Sequence, residues 1–410
     1  MTSANSLEQP PFKRAVVLFF FLVLSLILFT GCRGKTTPED VVQVPVVKIS
    51  SRQYPKFLDT LGFENLESAI DQSLVYFNRV PPTRTYVYGK DQYDAVHMIH
   101  SLETFKQFLI GRPTGPELNQ FIRKWFHVYK SVGNTNGQVL FTGYFEPTYK
   151  GSLTRSDNFS FPVYSMPQDL FQIDLSKFSD KYKGHKRLMA RVAQETGQVL
   201  PYYARKEINT TPDFEKRAEP VVWLASRVDR FFLEIQGSGR MALENGEELR
   251  VHYAGSNGNA YRSVGRYLID KNEIPREKMS MQAIREWLEK NPSQMDEVLH
   301  FNKSVVFFKA GKGGPFGSIG VAITPLRAIA TDPKVFPKGG LAFVETALPG
   351  KENQPKDEWE RASFFALNQD TGGAIKGPGR VDIFCGNRNW AEFTAGHMTA
   401  HGQIYFLVMK

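Results

Sequence analysis

The stretch that decides the fold reads Ala366-Leu-Asn-Gln-Asp370-Thr-Gly-Gly-Ala-Ile-Lys376-Gly-Pro-Gly-Arg380-Val-Asp382-Ile-Phe-Cys-Gly386. Its two apolar runs, separated by glycines, predict a strand, a tight loop and a second strand. Asp382 alternates with apolar neighbours, so its side chain should face away from theirs. The loop brings two carboxylates and the ammonium of Lys376 together. A partly desolvated carboxyl in such a place can have a pKa high enough to donate a proton near neutral pH. Taken alone, two aspartates in a glycine loop are more typical of a structural turn.

The N-terminus has the layout of a bacterial secretory signal peptide. Lys13-Arg14 precedes an apolar run over residues 15–29, which is shorter than the roughly 20 residues of a membrane-spanning helix. Phe29-Thr-Gly-Cys32 resembles a lipobox, so we expect cleavage after residue 31 and lipidation of Cys32. Acyl chains there would hold the exported protein at a membrane, and Arg33 favours the outer membrane, facing the periplasm. The alternative is an uncleaved anchor helix.

The composition suits a β-rich exported protein. The 410 residues allow two domains, and 33 glycines, 24 prolines and 13% aromatic residues favour strands over a helical bundle. The formal charge is +9, of which residues 1–31 contribute +1, so the exported part carries +8. For an exported chain, this charge suits an anionic membrane surface or an acidic polymer, and we expect no nucleic-acid partner.

Two stretches in the middle of the chain offer groups that suit a carbohydrate. Thr142-Gly-Tyr144-Phe-Glu146-Pro147 reads as a strand entering a turn, and the ring of Tyr144 could stack on a sugar. Residues 229–240 are predicted as a strand that ends in the turn Gln236-Gly-Ser238-Gly239 and pairs with residues 249–253. Amide, hydroxyl and backbone N–H donors of that turn suit the hydroxyl and N-acetyl groups of a glycan. A plain hairpin turn is the simpler alternative, and the turn lacks the spacing of a nucleotide-binding loop.

The remaining periodicity predicts helices first and short strands later. Leu66, Ile70, Leu74 and Phe77 have helical spacing and predict a helix that Pro81-Pro82 ends, a second helix is predicted over roughly 94–110, and a third after Pro116. Further helices are predicted near Tyr261 and from Ser280. After about residue 300, short strands alternate with Gly/Pro turns, at 304–308, 320–323, 341–344, 363–367, 381–384 and 404–408. Many short strands of this kind are typical of a barrel.

These motifs resemble the MltA-type membrane-bound lytic murein transglycosylase family. The family's segment D-x-G-G-A-I-K-G…x-D-I-Y resembles Asp370 to Phe384 of this chain. The sequence FFLEIQGSGR…YAGSNGNAYRSVGRYLI over residues 231–269 is very similar to the family's middle segment. The resemblance implies that Asp382 is the catalytic acid and that Asp370 is the first of three aspartates in a C-terminal 3D domain. Asn389 stands where the third is expected, with Glu392 nearby. Tyr144 would border the sugar groove.

The same resemblance implies an architecture and a partner. It implies mainly β structure with some helices: a double-psi β-barrel from residues 46–150 and 300–410, with the 3D segment at about 305–410. A smaller second β-domain, residues 151–299, would be inserted, with a groove between the two. Residues 1–31 would be the signal peptide and 32–45 a lipid-anchored tether. Peptidoglycan glycan strands would be the substrate, and cell-wall enzymes are possible partners.

The expected chemistry needs one acid. Asp382 would protonate the β-1,4 bond between N-acetylmuramic acid and N-acetylglucosamine and then deprotonate the muramic C6 hydroxyl, giving a 1,6-anhydro product. Asp370 would raise the pKa of Asp382, and Lys376 would lower it. One alternative is a two-carboxylate hydrolase that uses Asp370 or Glu146 as second group, Glu146 being the competitor of Asp382. Another is a non-catalytic wall-binding lipoprotein.

No metal or cofactor is expected. The pairs His97/His100 and His397/His401 lack a carboxylate at the spacing of a metalloenzyme motif. The second cysteine, Cys385, has no neighbouring histidine to activate it and is expected to be a small buried hydrophobic residue.

Overall fold

Strands and short helices alternate along residues 44–185 and 187–410, the residues that the computed structural model describes. The strands of this part are β1 (Val46–Ile49), β2 (Thr85–Tyr88), β3 (Asp91–Asp94), β4 (Phe126–Ser131), β5 (Val139–Tyr144), β6 (Thr148–Ser152), β7 (Phe161–Tyr164), β8 (Phe171–Ile173), β9 (Leu188–Val192), β10 (Val199–Pro201), β11 (Pro220–Leu224), β12 (Ser238–Leu243), β13 (Glu248–Ser256), β14 (Val306–Gly311), β15 (Ala328–Ala330), β16 (Leu341–Leu348), β17 (Glu360–Asp370), β18 (Arg380–Phe384) and β19 (Ala400–Met409). Its α-helices are α1 (Leu66–Phe77), α2 (Ala95–Ile110), α3 (Gly115–Trp125), α4 (Arg205–Thr210), α5 (Arg227–Gln236), α6 (Val264–Asp270), α7 (Met281–Lys290), α8 (Met295–Phe301) and α9 (Asn389–His397). The predicted signal peptide, Cys32 and nearly all of the predicted tether lie outside the described residues.

Six strands close into a barrel. Around the ring the order is β19, β16, β17, β15, β18 and β5, and β5 pairs back onto the first residues of β19. The pairs β15–β17 and β18–β5 are parallel, and the other four are antiparallel. Strand β4 pairs with the last residues of β19 and carries β1 on its outer edge. The prediction of a mainly β fold with a barrel is confirmed.

The three predicted N-terminal helices are confirmed and pack on this barrel. Helix α2 begins after Asp94, whose carboxylate accepts a hydrogen bond from the His97 backbone N–H at 2.8 Å. Helix α3 begins with a capping box of Thr114 and Glu117. Phe105 of α2 is buried and lies 5.0 Å, between ring centroids, from Phe365 of the barrel strand β17. The helices therefore cover the barrel and share its hydrophobic core.

A buried ion pair also ties the N-terminal segment to the barrel. Arg327, next to β15, donates to Asp59 at 2.7 and 3.1 Å, and the two side chains are 1% and 0% exposed. Asp59 also accepts hydrogen bonds from the backbone N–H groups of Leu61 and Phe365. All of these groups lie out of water, so the pair depends on every one of its partners.

A second sheet of six strands uses residues 148–311. Its order is β14, β13, β12, β6, β11 and β7. Residues 249–253 lie in a hairpin strand, β13, as predicted, but its partner β12 begins at Ser238, so only the last residues of the predicted partner strand 229–240 take part. Strand β14 pairs with β13, so residues 306–311 lie in this sheet, whereas the predicted division assigned residues from 300 onward to the barrel. The strand predicted at residues 320–323 forms only an isolated bridge between Phe316 and Ala322.

Residues 227–236 form helix α5, so the strand predicted over 229–236 is wrong. Ser226 caps the helix by accepting hydrogen bonds from the N–H groups of the second and third residues beyond it. The buried residues Val228, Phe231 and Phe232 recur at the three- and four-residue spacing of a helix. Gly237, with φ of 79°, then ends it. Strand β12 begins only at Ser238.

Candidate active site

Four adjacent barrel strands bring the two predicted aspartates together. In the order β17, β15, β18 and β5, Asp370 pairs with Ala330, Ala330 pairs with Asp382, and Asp382 pairs with Thr142. The two aspartates are therefore separated by one alanine in the strand register. This juxtaposition agrees with the strand, loop and strand that the sequence predicts.

Asp382 points away from the barrel core and is partly open to solvent. Its neighbours in β18 are fully buried, whereas its own side chain is 17% exposed. Thr142 Oγ1 donates a hydrogen bond to Asp382 Oδ1, and Arg380 Nε lies 3.6 Å from the same oxygen. Burial raises the pKa of Asp382, while Arg380 and the Thr142 hydroxyl lower it. A carboxyl that is desolvated yet reachable can hold a proton and pass it to a ligand.

Asp370 is the more tightly held carboxylate. Its Oδ1 accepts hydrogen bonds from the backbone N–H groups of Ser318 and Thr371 at 2.9 and 2.8 Å, and its Oδ2 accepts one from the Tyr144 hydroxyl at 2.9 Å. Burial raises the pKa of Asp370 to about 6, although these three donors oppose the rise. Both oxygens are thus committed to protein donors.

Tyr144 is the last residue of the barrel strand β5, and its hydroxyl lies close to both aspartates. Its ring packs 5.3 Å, between centroids, from Phe384, which stands beside it in the β18–β5 pair. The side chain is only partly buried. Its pKa is raised by burial and by the carboxylates of Asp370 and Asp382. The hydroxyl is therefore a fixed donor to Asp370, and part of the ring remains available to a ligand.

The loop over residues 371–379 carries Lys376 outward. Asp332 Oδ2 accepts a hydrogen bond from the Gly377 N–H at 2.8 Å, and Gly377 has φ of 73°. Gly379 packs so closely that a Cβ there would lie 2.9 Å from the Asn134 backbone nitrogen. Lys376 is exposed, and within the described ranges it forms no hydrogen bond or ion pair with either aspartate. Arg380 is the cation that faces Asp382.

Glu146, the predicted competitor of Asp382, is completely buried. Its Oε2 accepts from Arg240 Nε at 2.7 Å, and the Asn387 amide lies 3.5 Å away. Arg240 belongs to β12 of the second sheet, and Asn387 follows the barrel strand β18. Glu146 therefore joins the sheet to the barrel and offers no oxygen to the solvent.

The three residues of the predicted glycan-binding turn lie at the same junction. Gln236 Oε1 accepts a hydrogen bond from the Phe145 N–H at 3.1 Å, directly after the barrel strand that carries Tyr144. Ser238, the first residue of β12, is partly exposed and pairs with His252. Gly239 is buried, and a Cβ there would lie 2.5 Å from Leu233 Cδ1. The fold thus brings these residues near the end of β5.

Two further residues of the site were not predicted. Arg380 could have been found from the alternation of β18, because residues two apart in a strand share a face. Tyr261 was expected on a helix, but α6 begins only after its cap residue Ser263. The charges of Arg380 and Asp382 both act on the Tyr261 hydroxyl, whose pKa is raised mainly by burial. Tyr261 therefore faces Asp382 from the segment that follows β13.

The region of the expected third acid forms helix α9. Asn389 is its first residue, Glu392 lies in its first turn, and both are exposed. Within the described part of the chain, neither side chain hydrogen-bonds to Asp370 or Asp382. Cys385 is buried against Phe145 and Ala391, and burial raises the pKa of its thiol, so the prediction of a buried hydrophobic role is confirmed.

Among the described residues, no cluster of three His, Cys, Asp or Glu side chains has the geometry to hold a metal ion. In residues 44–185 and 187–410, no helix combines the length and apolar character required to cross a membrane.

Comparison with known proteins identifies the family. The MltA specific insert domain matches residues 140–309, and the 3D domain matches residues 327–408. The chain belongs to the MltA family, with a C-terminal 3D domain. The predicted family resemblance is therefore confirmed, and the two matched regions contain both aspartates, Tyr144 and the turn at residues 236–239.

Curated relatives and solved structures agree with this assignment. The membrane-bound lytic murein transglycosylase A of Escherichia coli K12 is 32% identical over 274 residues, which are 66% of each chain. That of Vibrio cholerae is 29% identical over 281 residues, 68% of this chain and 67% of the relative. The alignment with the first relative thus spans just under two thirds of its length. A membrane-bound lytic murein transglycosylase from Agrobacterium tumefaciens has the same fold, with a TM-score of 0.71 and 26% identity over 89% of this chain and 97% of that one.

Proposed function

We propose that this MltA-family chain is a lytic transglycosylase. It cleaves the β-1,4 bond between N-acetylmuramic acid and N-acetylglucosamine of peptidoglycan without water and leaves a 1,6-anhydromuramyl end. The observation that carries this proposal is the contrast between the two aspartates. Asp382 is desolvated but reachable, whereas the neighbouring Asp370 has both oxygens occupied by protein donors. The names of the curated relatives support the same activity.

In this mechanism Asp382 acts twice. Protonated Asp382 gives its proton to the glycosidic oxygen as the bond to C1 of the muramic residue breaks and positive charge develops on the ring. The resulting carboxylate then takes the proton of the C6 hydroxyl as O6 attacks C1 and closes the anhydro ring. The nucleophile belongs to the same sugar, so ring closure has a high effective molarity and needs no bound water. Burial, which raises the pKa of Asp382, favours the protonated starting state.

The other predicted residues support this acid. Asp370 is a positioning residue that fixes the Tyr144 hydroxyl, and the Tyr144 ring stacks on a sugar. Gln236 and Ser238, which are partly exposed, contribute donors to the hydroxyl and acetamido groups of the glycan, and the buried Gly239 allows their turn to pack against Leu233. Lys376 stays in a supporting role at the rim, where its exposed ammonium can approach the substrate. A crystal structure of Escherichia coli MltA with bound chitohexaose, 24% identical with a TM-score of 0.68, has the same fold as this chain.

A two-carboxylate hydrolase is less well supported. Such an enzyme needs a second carboxylate that is free to activate water or attack the sugar. Asp370 accepts three hydrogen bonds, and Glu146 is buried in an ion pair with Arg240. A non-catalytic wall-binding lipoprotein, the other alternative, would have no use for a desolvated carboxyl at the surface of the barrel.

The architecture and location complete the proposal. The barrel has double-psi topology, residues 151–299 form most of an inserted second domain that ends at β14, and the glycan lies in a groove between the two. The chain is exported, carries lipid on Cys32 and is held at the outer membrane facing the periplasm. The family name, membrane-bound, supports association with a membrane.

Digestion of purified sacculi tests the activity. The parent should release fragments with 1,6-anhydro ends and few reducing ends, as measured by mass spectrometry. Asp382→Asn, which keeps the size and loses the proton, should reduce product formation by about three orders of magnitude or more, as removal of an essential acid does. Glu392→Gln, an exposed acid on α9, is the matched control and should be fully active. An Asp382→Asn variant that clears sacculi like the parent would refute the assignment, and reducing ends from the parent would indicate a hydrolase.

A further inference from the structure

Arg380 lies beside Asp382 and is the more exposed of the two side chains. The two residues lie two apart on β18 and so project from the same face. The Arg380 side chain is 35% exposed, against 17% for Asp382. The guanidinium is thus partly open to solvent next to Asp382, where a bound substrate can contact both groups.

The hydrogen-bonding capacity of Arg380 is largely unused. Its Nε is buried and donates no hydrogen bond within the described residues, and it lies 3.6 Å from Asp382 Oδ1, beyond hydrogen-bonding distance. Its Nη2 lies 3.5 Å from Thr142 Oγ1, at the limit of such a bond. By contrast, the buried Arg327 donates to a carboxylate and to two backbone carbonyls. A guanidinium with five donors and so few acceptors is suited to an acceptor from outside the chain.

We propose that Arg380 binds a carboxylate of the substrate beside the scissile bond and so determines specificity for anionic glycan. This inference rests on the proposed function. A guanidinium pairs with a carboxylate through two parallel hydrogen bonds, which a hydroxyl or amide cannot match. In peptidoglycan the carboxylate has two possible sources. The lactyl group of muramic acid is a free carboxylate where the stem peptide has been removed and an amide where it is present, and the stem has carboxylates of its own.

Binding of that carboxylate is linked to the proton on Asp382. Besides Asp370, which lies across Ala330 on β17, the titratable groups that face Asp382 are Arg380 on its own strand, Tyr144 on β5, Cys385, and Tyr261 after β13. The last three have raised pKa values and stay neutral, so Arg380 is the cation that stabilises ionised Asp382. A substrate carboxylate paired with Arg380 cancels this effect and brings a second negative charge. The pKa of Asp382 should therefore be higher in the complex than in the free enzyme.

Three substrates separate the two sources of the carboxylate. The first is glycan with intact stem peptides, and the second is the same glycan after an amidase has removed the stems. The third is the amidase-treated glycan after its lactyl carboxylates have been converted to methylamides, so that it carries no charge. The variants are Arg380→Gln, Arg380→Lys, which keeps the charge but loses the planar fork, and Arg266→Gln, a control on α6 whose partner is the exposed Asp270. All are made in the full chain.

The expected result is a loss that depends on the substrate. Since a hydrogen-bonded charge pair contributes a factor of about 10 to 100 in binding, Arg380→Gln should raise KM by about that factor for one carboxylate-bearing substrate. It should leave KM for the neutral glycan unchanged, which also shows that the variant is folded. Arg380→Lys should be intermediate, and Arg266→Gln should match the parent. The parent's activity should fall at high pH as Asp382 loses its proton. On the sensitive substrate, this fall should occur at higher pH in the profile of kcat than in that of kcat/KM, and on the neutral substrate the two profiles should coincide.

Each outcome has one meaning. Sensitivity confined to amidase-treated glycan assigns the lactyl carboxylate, and sensitivity confined to intact glycan assigns the stem. Equal effects on all three substrates, or none, would overturn the inference and leave Arg380 as a residue that only adjusts Asp382. Dissociation constants measured with the Asp382→Asn variant, with and without Arg380→Gln, test the same contrast without turnover. These dissociation constants test the role of Arg380 independently of the reaction. If the parent yields no anhydro ends, that result refutes the proposed function but not carboxylate binding by Arg380.

Discussion

Replacement of Asp370 by asparagine should make the protein relatively more stable as the pH rises. Burial raises the pKa of this carboxyl from 3.8 to about 6. Between these values the folded state holds a proton that the unfolded state has lost. The contribution of Asp370 to stability is therefore fully present below pH 3.8 and is lost as the pH rises through 6. Asparagine does not titrate, so the variant avoids this loss.

The size of the effect follows from the shift. A rise of about two pH units corresponds to about 3 kcal/mol at 1.36 kcal/mol per unit. The substituted asparagine could keep most of the local geometry, because its amide oxygen can accept from the N–H groups of Ser318 and Thr371 as Oδ1 does now. Its amide nitrogen would then face the Tyr144 hydroxyl, which can accept in place of donating. The pH-dependent term should therefore dominate the difference between parent and variant.

Urea unfolding at a series of pH values from 4 to 8 measures this difference. The free energy of unfolding of Asp370→Asn minus that of the parent should increase by about 2.5 kcal/mol across the series, since part of the change lies below pH 4, and should level off above about pH 6. Asp270→Asn is the control, because Asp270 is an exposed partner of Arg266, and its difference from the parent should vary by less than about 1 kcal/mol. A difference for Asp370→Asn that stays constant with pH would show that the carboxyl has an ordinary pKa and would refute the reasoning.

Substitutions at Tyr144 and Asp59 test the hydrogen bond to Asp370 and the buried ion pair next to the barrel. Tyr144→Phe removes the hydroxyl that donates to Asp370 Oδ2, so the pKa of Asp370 should rise further above about 6 in a carboxyl ¹³C NMR titration. Glycan affinity should persist in Tyr144→Phe and fall in Tyr144→Ala if the ring stacks on a sugar, whereas equal losses in both would contradict stacking. Asp59→Ala leaves the buried Arg327 guanidinium without its carboxylate and should cost about 3–5 kcal/mol in urea unfolding; a cost below about 1 kcal/mol would show that water replaces the carboxylate.

Much of the site could be predicted because its signals are local. The alternation around Asp382, the apolar run before Asp370 and the glycines between them are all contained in about twenty residues. Their strand, loop and strand appear in the structure, and Asp382 faces away from the core as its neighbours predict. Local patterns of this kind depend on backbone geometry and side-chain period alone, so they need no knowledge of the rest of the chain.

Other parts of the fold depend on contacts between distant segments. The run Phe231 to Gln236 is compatible with either a buried strand or a helix, and the cap at Ser226 together with Gly237 favours the helix only when the two are considered jointly. Strand β15 has three residues and exists because β17 and β18 lie on either side of it. Strand β14 resembles the barrel strands in sequence but pairs with β13. For β14 and β15 the sequence allows several arrangements and pairing with distant strands selects one, whereas the helix at residues 227–236 has local signals at its two ends.

The difference between the environments of Asp370 and Asp382 also depends on contacts between distant segments. Both are desolvated, and both have raised pKa values. The donors that commit Asp370 include Ser318 and Tyr144, which are 52 and 226 residues away in the chain. Asp382 meets instead a hydroxyl and a guanidinium that does not reach hydrogen-bonding distance. Because Asp370 already accepts three protein hydrogen bonds, it is less free than Asp382 to exchange a proton with a ligand. The catalytic role proposed for Asp382 therefore depends on the pairing of β5, β15, β17 and β18, which places these donors.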